Sequence, residues 1–296
     1  MNDLSGQSHD QTKGSERPVL VSVVIPTYNR AHLLMRAVES VRRQTFRDFE
    51  LIVVDDGSSD GTSELLEGLS ADVQSFRHPN RGVAAARNLG IEHSHGELIA
   101  FLDSDDEWLP EKLAMQVARY DGANPDFFCH TNEIWLRNGK ELSQKKIHRK
   151  QGGRFFERAL ERCLISPSSA MMSRALLDRF GRFDETLPAA EDYDLWLRVT
   201  AYCEVQFIPR PLVIKHGGHP DQLSRTVPSI DRFRIRAIEK ILADPALPRQ
   251  YREAAVKELL RKCRIVASGC AAKGKIAEAE AYLELTRIYQ LRQHGS

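Results

Sequence analysis

The chain lacks any apolar run of about 18 residues, so nothing in it reads as a membrane-spanning helix. The first 17 residues have no hydrophobic stretch, which excludes a signal peptide; they read as a disordered tail. Charge of one sign is not in excess: 42 Lys and Arg face 41 Asp and Glu, a formal net charge of +1. That argues against a dominant nucleic-acid surface. Cysteine is sparse: Cys129, Cys163, Cys203, Cys263 and Cys270 are an odd number with no CxxC pair. Reduced structural thiols in a cytosolic protein are the expectation. What remains is ordinary for 296 residues: 42% hydrophobic and 28% charged, enough for a sizeable core and too apolar for global disorder.

The hydrophobic pattern alternates strand and helix. Val19 to Ile25 is a β-branched run suited to a strand buried on both faces, and Pro26 stops it. Leu33, Leu34, Ala37, Val38 and Val41 fall on one helical face. Leu51 to Val54 is a second strand, ending in Asp55-Asp56-Gly57. A short helix with Leu65, Leu66 and Leu69, a weaker strand from Val73 to Phe76, an Ala-rich helix from Gly82 to Ile91 and a strand from Leu98 to Leu102 follow. This alternation predicts an open, mainly parallel α/β sheet flanked by helices. In such sheets ligands bind at the carboxyl ends of the strands. Thr27-Tyr28-Asn29, Asp55-Asp56 and Asp103 to Asp106 all fall there.

Beyond Pro110, which is placed to open a helix, the pattern changes. Phe127 to His130 and Ile134 to Leu136 read as short strands, with a hairpin-type turn at Asn138-Gly139. Lys145 to Lys150 is a basic loop, and a helix is expected over Phe155 to Cys163. Ser166 to His219 mixes strand and helix. From about Ile230 the chain is helical. Ala254 to Ala267 and Ile276 to Tyr289 read as one hairpin, faintly like a tetratricopeptide unit. It is either a helical cap or a docking element for a partner or a membrane surface.

Several clusters carry chemistry, each with a structural alternative. In Asp103-Ser104-Asp105-Asp106, three carboxylates in four residues repel one another unless a cation sits there. Mg²⁺ and Mn²⁺ take such oxygens and share them with phosphates; a solvated turn capping the next helix is the other reading. Asp56 ends a buried strand and can accept an imide N–H from a uracil, while Asp60 reads as a helix cap. Tyr28 can stack on a base or cover the sheet edge. Arg87 stands among small residues, where it can reach a diphosphate, hold the acidic edge or remain a surface side chain. In Glu191-Asp192-Tyr193-Asp194, Asp192 shares helical spacing with Leu195, Trp196 and Val199, so it is expected to begin the buried face. There it can act as a base or simply cap the helix. Asp194 and Arg198 read as an i,i+4 pair.

In this order the segments SVVIPTYNR, QTFRDFELIVVDDGSSDGT, NRGVAAARNLG, GELIAFLDSDDEW, GRFDETL and AEDYDLWLR resemble the family 2 glycosyltransferases of the GT-A fold, over roughly residues 19 to 225. The resemblance implies a nucleotide-sugar donor, with UDP favoured through Asp56, and a glycan or lipid-linked acceptor. Pro26, Tyr28, Asn29 and Asp56 would line the base pocket. Arg87 would help hold the nucleotide, Asp103 would contact ribose or metal, and Asp105 would coordinate Mn²⁺ or Mg²⁺. Asp192 would be the general base of an inverting transfer. His216 falls where some relatives place a histidine near the diphosphate, with His219 close by. The implied organisation is a tail at 1–17, a GT-A domain at 18–228 and a helical extension at 229–296. The domain divides into a nucleotide-binding half at 18–109 and an acceptor-binding half at 110–228. A cytoplasmic enzyme of polysaccharide biosynthesis, hexosyltransferase in type, is expected. The basic loop and C-terminal helices offer a peripheral contact with an anionic membrane, against the commoner solvated face. Two alternatives remain. A sugar-1-phosphate nucleotidyltransferase needs an early Gly-rich loop followed by Arg and Lys, which is missing; a non-catalytic binding module leaves the acidic cluster and Asp192 without a purpose.

Overall fold

The structure is a computed structural model that describes residues 19–218, 227 and 229–294. The expected tail and His219 lie outside the described residues.

β1 (Val21–Thr27), β2 (Phe49–Asp55), β3 (Val73–Arg77) and β4 (Leu98–Phe101) form a parallel set in the order β3-β2-β1-β4. Their side chains alternate between two apolar layers. Val23, Ile25, Leu51, Val53, Leu98 and Ala100 face one layer, while Val24, Ile99 and Phe101 face the other. All seven residues of β1 are buried, as a central strand covered on both faces requires.

α1 (Ala31–Arg42) buries Leu33, Leu34, Ala37, Val38 and Val41, the face that the spacing predicts. α2 is Thr62–Glu67 and α3 is Val83–Glu92. α3 is small-sided because it rides directly on β1: a Cβ on Gly90 would stand 2.3 Å from Val24 Cγ1.

The second half continues the same sheet through β5 (Glu107–Trp108), β6 (Phe128–Arg137), β7 (Lys140–Glu141), β8 (Ala170–Ser173) and β9 (Gln206–Gly217). β8 runs antiparallel to β4 and β6, and β9 parallel to β6 and antiparallel to β5. The two short strands expected at 127–136 are one strand. Its register against β9 shifts between Thr131 and Glu133, and this irregularity breaks the alternation in the sequence. Asn138 and Gly139 both have positive φ, as a tight hairpin between β6 and β7 demands.

Helices α4 (Lys112–Val117), α5 (Phe156–Glu161), α6 (Arg174–Phe180) and α7 (Glu191–Thr200) flank this half. α4 begins two residues after Pro110. Among the described residues the C-terminal segment holds three helices: α8 (Asp231–Leu242), α9 (Arg249–Ala271) and α10 (Ile276–His294). The expected hairpin is α9 with α10; α8 precedes it. Ile238, Leu259 and Cys263 share one apolar cluster with Leu160, Trp196 and Phe128, so these helices extend the core beneath one face of the sheet.

Candidate active site

The carboxyl ends of β1, β2 and β4 lie side by side, because Thr27 pairs with Asp55 and Val24 with Phe101. Pro26 is buried, Tyr28 is 47% exposed at the edge, and Asn29 takes a positive φ. Asn29 N–H donates to Ser58 Oγ at 2.8 Å, and its Oδ1 accepts from Ser59 N–H at 2.8 Å. The turns after β1 and β2 are thereby stitched together. Asp60 accepts from Thr62 N–H and from Ala31 N–H, serving the starts of both α2 and α1.

Asp55 and Asp56 differ in their partners. Asp55 is fully buried and accepts from Ser58 N–H and Ser63 Oγ. Asp56 accepts Arg81 N–H on one oxygen at 2.8 Å and Gly82 N–H on the other at 2.9 Å, so it fixes the start of α3. His78 Nδ1 also lies 3.4 Å from Oδ1, the oxygen that takes Arg81 N–H, which leaves Oδ2 with a second lone pair for a ligand.

Arg87 is buried, and its guanidinium forks between two elements. Nη2 donates to Asp103 Oδ1 at 2.7 Å and Nη1 to Glu191 Oε1 at 2.6 Å. Of the roles open to it, the arrangement is the one that holds the acidic edge. Its contact with Glu191, at the first turn of α7, has no signal in the sequence.

The three aspartates after β4 separate by environment. Burial alone would raise the Asp103 carboxyl, but Arg87 and Lys215 outweigh it and hold it below its ordinary value. Asp105 is raised, by burial first and by Asp103 next, against Lys215 and Arg30. Asp106 is buried and pushed up to about 7 by burial, Asp105 and Asp103, despite Lys215 at 3.3 Å. It does not cap α4. Its oxygens accept from Ser168 Oγ at 2.6 Å and from His216 N–H at 3.3 Å, tying the cluster to β9. Asp106, Glu133, Asp103 and Asp105 hold the Lys215 ammonium charged against the effect of its burial. His216 Nε2 lies 2.8 Å from Glu107 Oε1.

Carboxylates outnumber cations here, which is the charge balance that a metal ion corrects. Among the described residues no three His, Cys, Asp or Glu side chains converge as a complete cage. Asp105 and the second oxygen of Asp103 are hard oxygen donors that suit Mg²⁺ or Mn²⁺ shared with phosphates. The residues fit such an ion.

Asp192 departs from expectation. It is half-buried, whereas Glu191 and Asp194 on either side of Tyr193 are buried. The buried face of α7 is wider than the spacing implied, because α8 covers Asp194: Lys240 Nζ lies 2.8 Å from Asp194 Oδ1. Asp194 also pairs with Arg198 at 2.8 Å, as expected. Asp192 Oδ1 accepts Tyr193 N–H at 2.6 Å, and Oδ2 accepts the Cys163 thiol at 3.2 Å. Burial and the adjoining Asp192 push that thiol up, so it stays protonated. No sequence signal singled out Cys163.

Residues 22–181 match the glycosyl transferase family 2 model. The chain belongs to that family. It is 34% identical over 187 residues to the E. coli UDP-Glc:alpha-D-GlcNAc-diphosphoundecaprenol beta-1,3-glucosyltransferase WfgD, covering 61% of this chain and 69% of the relative. It is 31% identical over 207 residues to the putative colanic acid biosynthesis glycosyl transferase WcaA of E. coli K12, covering 68% and 73%. An uncharacterized glycosyltransferase of Rickettsia bellii is 34% identical over 66% of this chain. The chain spans only 28 to 32% of the length of three such rickettsial relatives. Among solved structures, S. aureus TarS 1-349 in complex with UDP-GlcNAc superposes with a TM-score of 0.66 at 19% identity, over 90% of this chain and 91% of that one. The mannosyltransferase PcManGT of Pyrobaculum calidifontis, in complex with GDP-Man and Mn2+, gives 0.58 at 21%, over 94% and 83%. These likenesses establish the GT-A fold, and family membership sets the nucleotidyltransferase reading aside. No described helix is long and apolar enough to cross a membrane.

Proposed function

We propose that the chain transfers a sugar from a nucleotide-sugar donor, UDP-linked, to a hydroxyl of a glycan or lipid-linked acceptor, with inversion at the anomeric carbon. The observation that carries this reading is the Arg87 fork, which joins Asp103 at the end of β4 to Glu191 beside Asp192. One buried guanidinium thus sets the spacing between the leaving-group side of the site and the base.

Pro26, Tyr28, Asn29 and Asp56 receive the base, with Asp56 accepting the imide N–H through the remaining lone pair of Oδ2. Asp103 and Asp105 would hold a divalent cation, which supplies charge neutralisation at the leaving diphosphate when bound. Asp192 takes the acceptor proton as the hydroxyl oxygen attacks. A carboxylate is too weak to remove that proton beforehand, so the transfer belongs to the transition state. Lys215 and Arg87 add positive potential on the same side. Residues 18–228 carry these roles, and the helices from 229 onward act as a cap on the catalytic core. Support for the donor comes from WfgD, named for UDP-Glc, and for the metal from the Mn2+ complex of PcManGT.

The test is calorimetric titration of UDP- and GDP-sugars with and without Mn²⁺, then acceptor trials with the best donor. Metal-dependent binding of a UDP-sugar and product formation are expected. Binding without turnover over any acceptor would instead make the chain a nucleotide-sugar-binding module.

A further inference from the structure

Three carboxylates in four residues push the loop at 103–106 open, so a geometry that receives a ligand has to be held from outside the loop. Two side chains from distant segments hold it. Ser168 is fully buried, and its hydroxyl grips both ends of the loop. Asp103 N–H donates to Ser168 Oγ at 3.1 Å, and Ser168 Oγ donates to Asp106 Oδ2 at 2.6 Å. A hydroxyl has one proton, so the carboxylate takes that proton and a lone pair takes the amide. Arg36, on α1, donates from Nη2 to Asp105 O at 2.6 Å. Asp103 and Asp105 are thus both clamped by their backbone. The Asp105 carboxylate and the second oxygen of Asp103 stay available to a cation.

Ser168 is itself held in place. Trp108, two residues beyond the loop, donates from Nε1 to Ser168 O at 2.8 Å. Trp196, on α7, donates from Nε1 to Ile165 O at 2.9 Å. Ser169 N–H donates to Ser166 O at 3.0 Å and closes the turn between them, while Ser166 Oγ donates to Glu133. At the other end of this segment Cys163 Sγ lies 3.2 Å from both Ile165 O and Asp192 Oδ2. Two indoles therefore suspend residues 163–169 between the acidic loop and α7. A hydroxyl fixed in this way cannot follow the loop if the loop opens. Partners that orient ligating carboxylates from outside govern how well a metal is held.

We propose that Ser168 is a positioning residue of the donor site, whose hydroxyl presets the 103–106 loop to receive the divalent cation. The proposal rests on the reading of Asp103 and Asp105 as cation ligands.

UDP is the probe, titrated into the full chain by calorimetry over a series of Mn²⁺ concentrations. Ser168→Ala should need about 10–100-fold more Mn²⁺ for half-maximal enhancement of UDP binding. Its UDP binding in chelator should stay near native. Ser168→Thr keeps the hydroxyl and adds a methyl to a packed place, so it should melt lower yet keep a near-native Mn²⁺ dependence. Amide hydrogen exchange of the metal-free protein is the second measurement. Asp103 N–H should exchange about three- to tenfold faster in Ser168→Ala, the worth of one hydrogen bond, with the amides of Leu98–Phe101 unchanged. Exchange of Asp103 N–H at the native rate would overturn the proposal. So would an equal loss of Mn²⁺ dependence in Ser168→Ala and Ser168→Thr, which would make packing the cause and not the hydroxyl. If Asp105→Asn also leaves the Mn²⁺ response native, the cation reading fails, and the exchange of Asp103 N–H alone then decides whether Ser168 holds the loop.

Discussion

Arg87 donates to Asp103 and to Glu191 through the two arms of one guanidinium, at 2.7 and 2.6 Å. Both carboxylates lie at the site, one on the sheet edge and one at the start of α7. Removing the arginine leaves negative charge in a buried place, so Arg87→Met should cost about 3–5 kcal/mol of stability. Arg87→Lys should recover only part of this, because an ammonium cannot span both carboxylates with the same fork. Urea unfolding of the two variants measures it. Equal stability of Arg87→Lys and the native chain would remove the fork from the argument.

Asp192 touches Cys163 through Oδ2 and its own helix backbone through Oδ1. Asp192→Asn keeps the shape and removes the basic oxygen. Transfer should fall by about 10²–10⁴-fold, the usual contribution of a positioned base, while donor binding by calorimetry stays near native. Cys163→Ala should lower kcat to a smaller extent and leave the donor KM unchanged, since only the orientation of Asp192 is affected. An Asp192→Asn protein with full turnover would move the base elsewhere.

Asp105 is raised by burial and by Asp103, and a cation would relieve both effects. Asp105→Asn should weaken Mn²⁺-dependent donor binding by at least ~10–100-fold, the loss that even outer partners of a metal site produce. Binding measured in chelator should change much less. A native-like Mn²⁺ titration curve in the variant rules out Asp105 as a ligand.

Gly90 sits where α3 crosses β1, and an added Cβ would meet Val24 Cγ1 at 2.3 Å. Gly90→Ala therefore forces helix and strand apart. Overpacking of this kind costs about 1–3 kcal/mol. The shift would also move Arg87 one turn away, so a lower melting temperature should come with weaker donor binding. A variant as stable as the native chain would mean that Val24 yields by changing rotamer.

The parallel half was legible because its signals are local. A strand covered on both faces must be apolar throughout, and three of the four strand ends carried polar residues on the edge where ligands bind. Asp103 and Arg87 could be named, yet their partnership could not, because Asp103, Arg87 and Glu191 come from three distant segments. The same holds for Asp106, whose role became visible only when β9 brought Lys215 and His216 beside it. Helical spacing found the buried face at Leu195, Trp196 and Val199 but not the burial of Asp194, which is set by Lys240 on α8, some forty residues further on. Cys163 and Glu133 had no motif at all; what they do depends on side chains delivered by other elements.

Glu133 lies buried against Lys150 and accepts from Trp135 Nε1 at 2.9 Å. Burial raises its carboxyl, but Lys150 and then Lys215 overcome this, and the net effect lowers it from 4.5 to about 2. A depressed carboxylate contributes stability that is present above its unfolded value and lost as pH falls through the folded one. The loss should thus run from about pH 4.5 down to about 2 and amount to about 3 kcal/mol. His130, lowered to about 3 by burial and by Lys150, acts in the same direction over a higher range. The unfolded chain binds its proton below the ordinary value of 6.5 while the folded chain resists until about 3, so stability also falls with pH across that window. Glu133→Gln leaves Lys150 unpaired and should be less stable at pH 7, yet lose less on acidification than the native chain. His130→Phe should flatten the slope between about pH 6.5 and 3. Chemical denaturation at pH 7, 5 and 3 separates the two contributions. Parallel stability curves for the native chain and both variants would show that neither group is linked to folding.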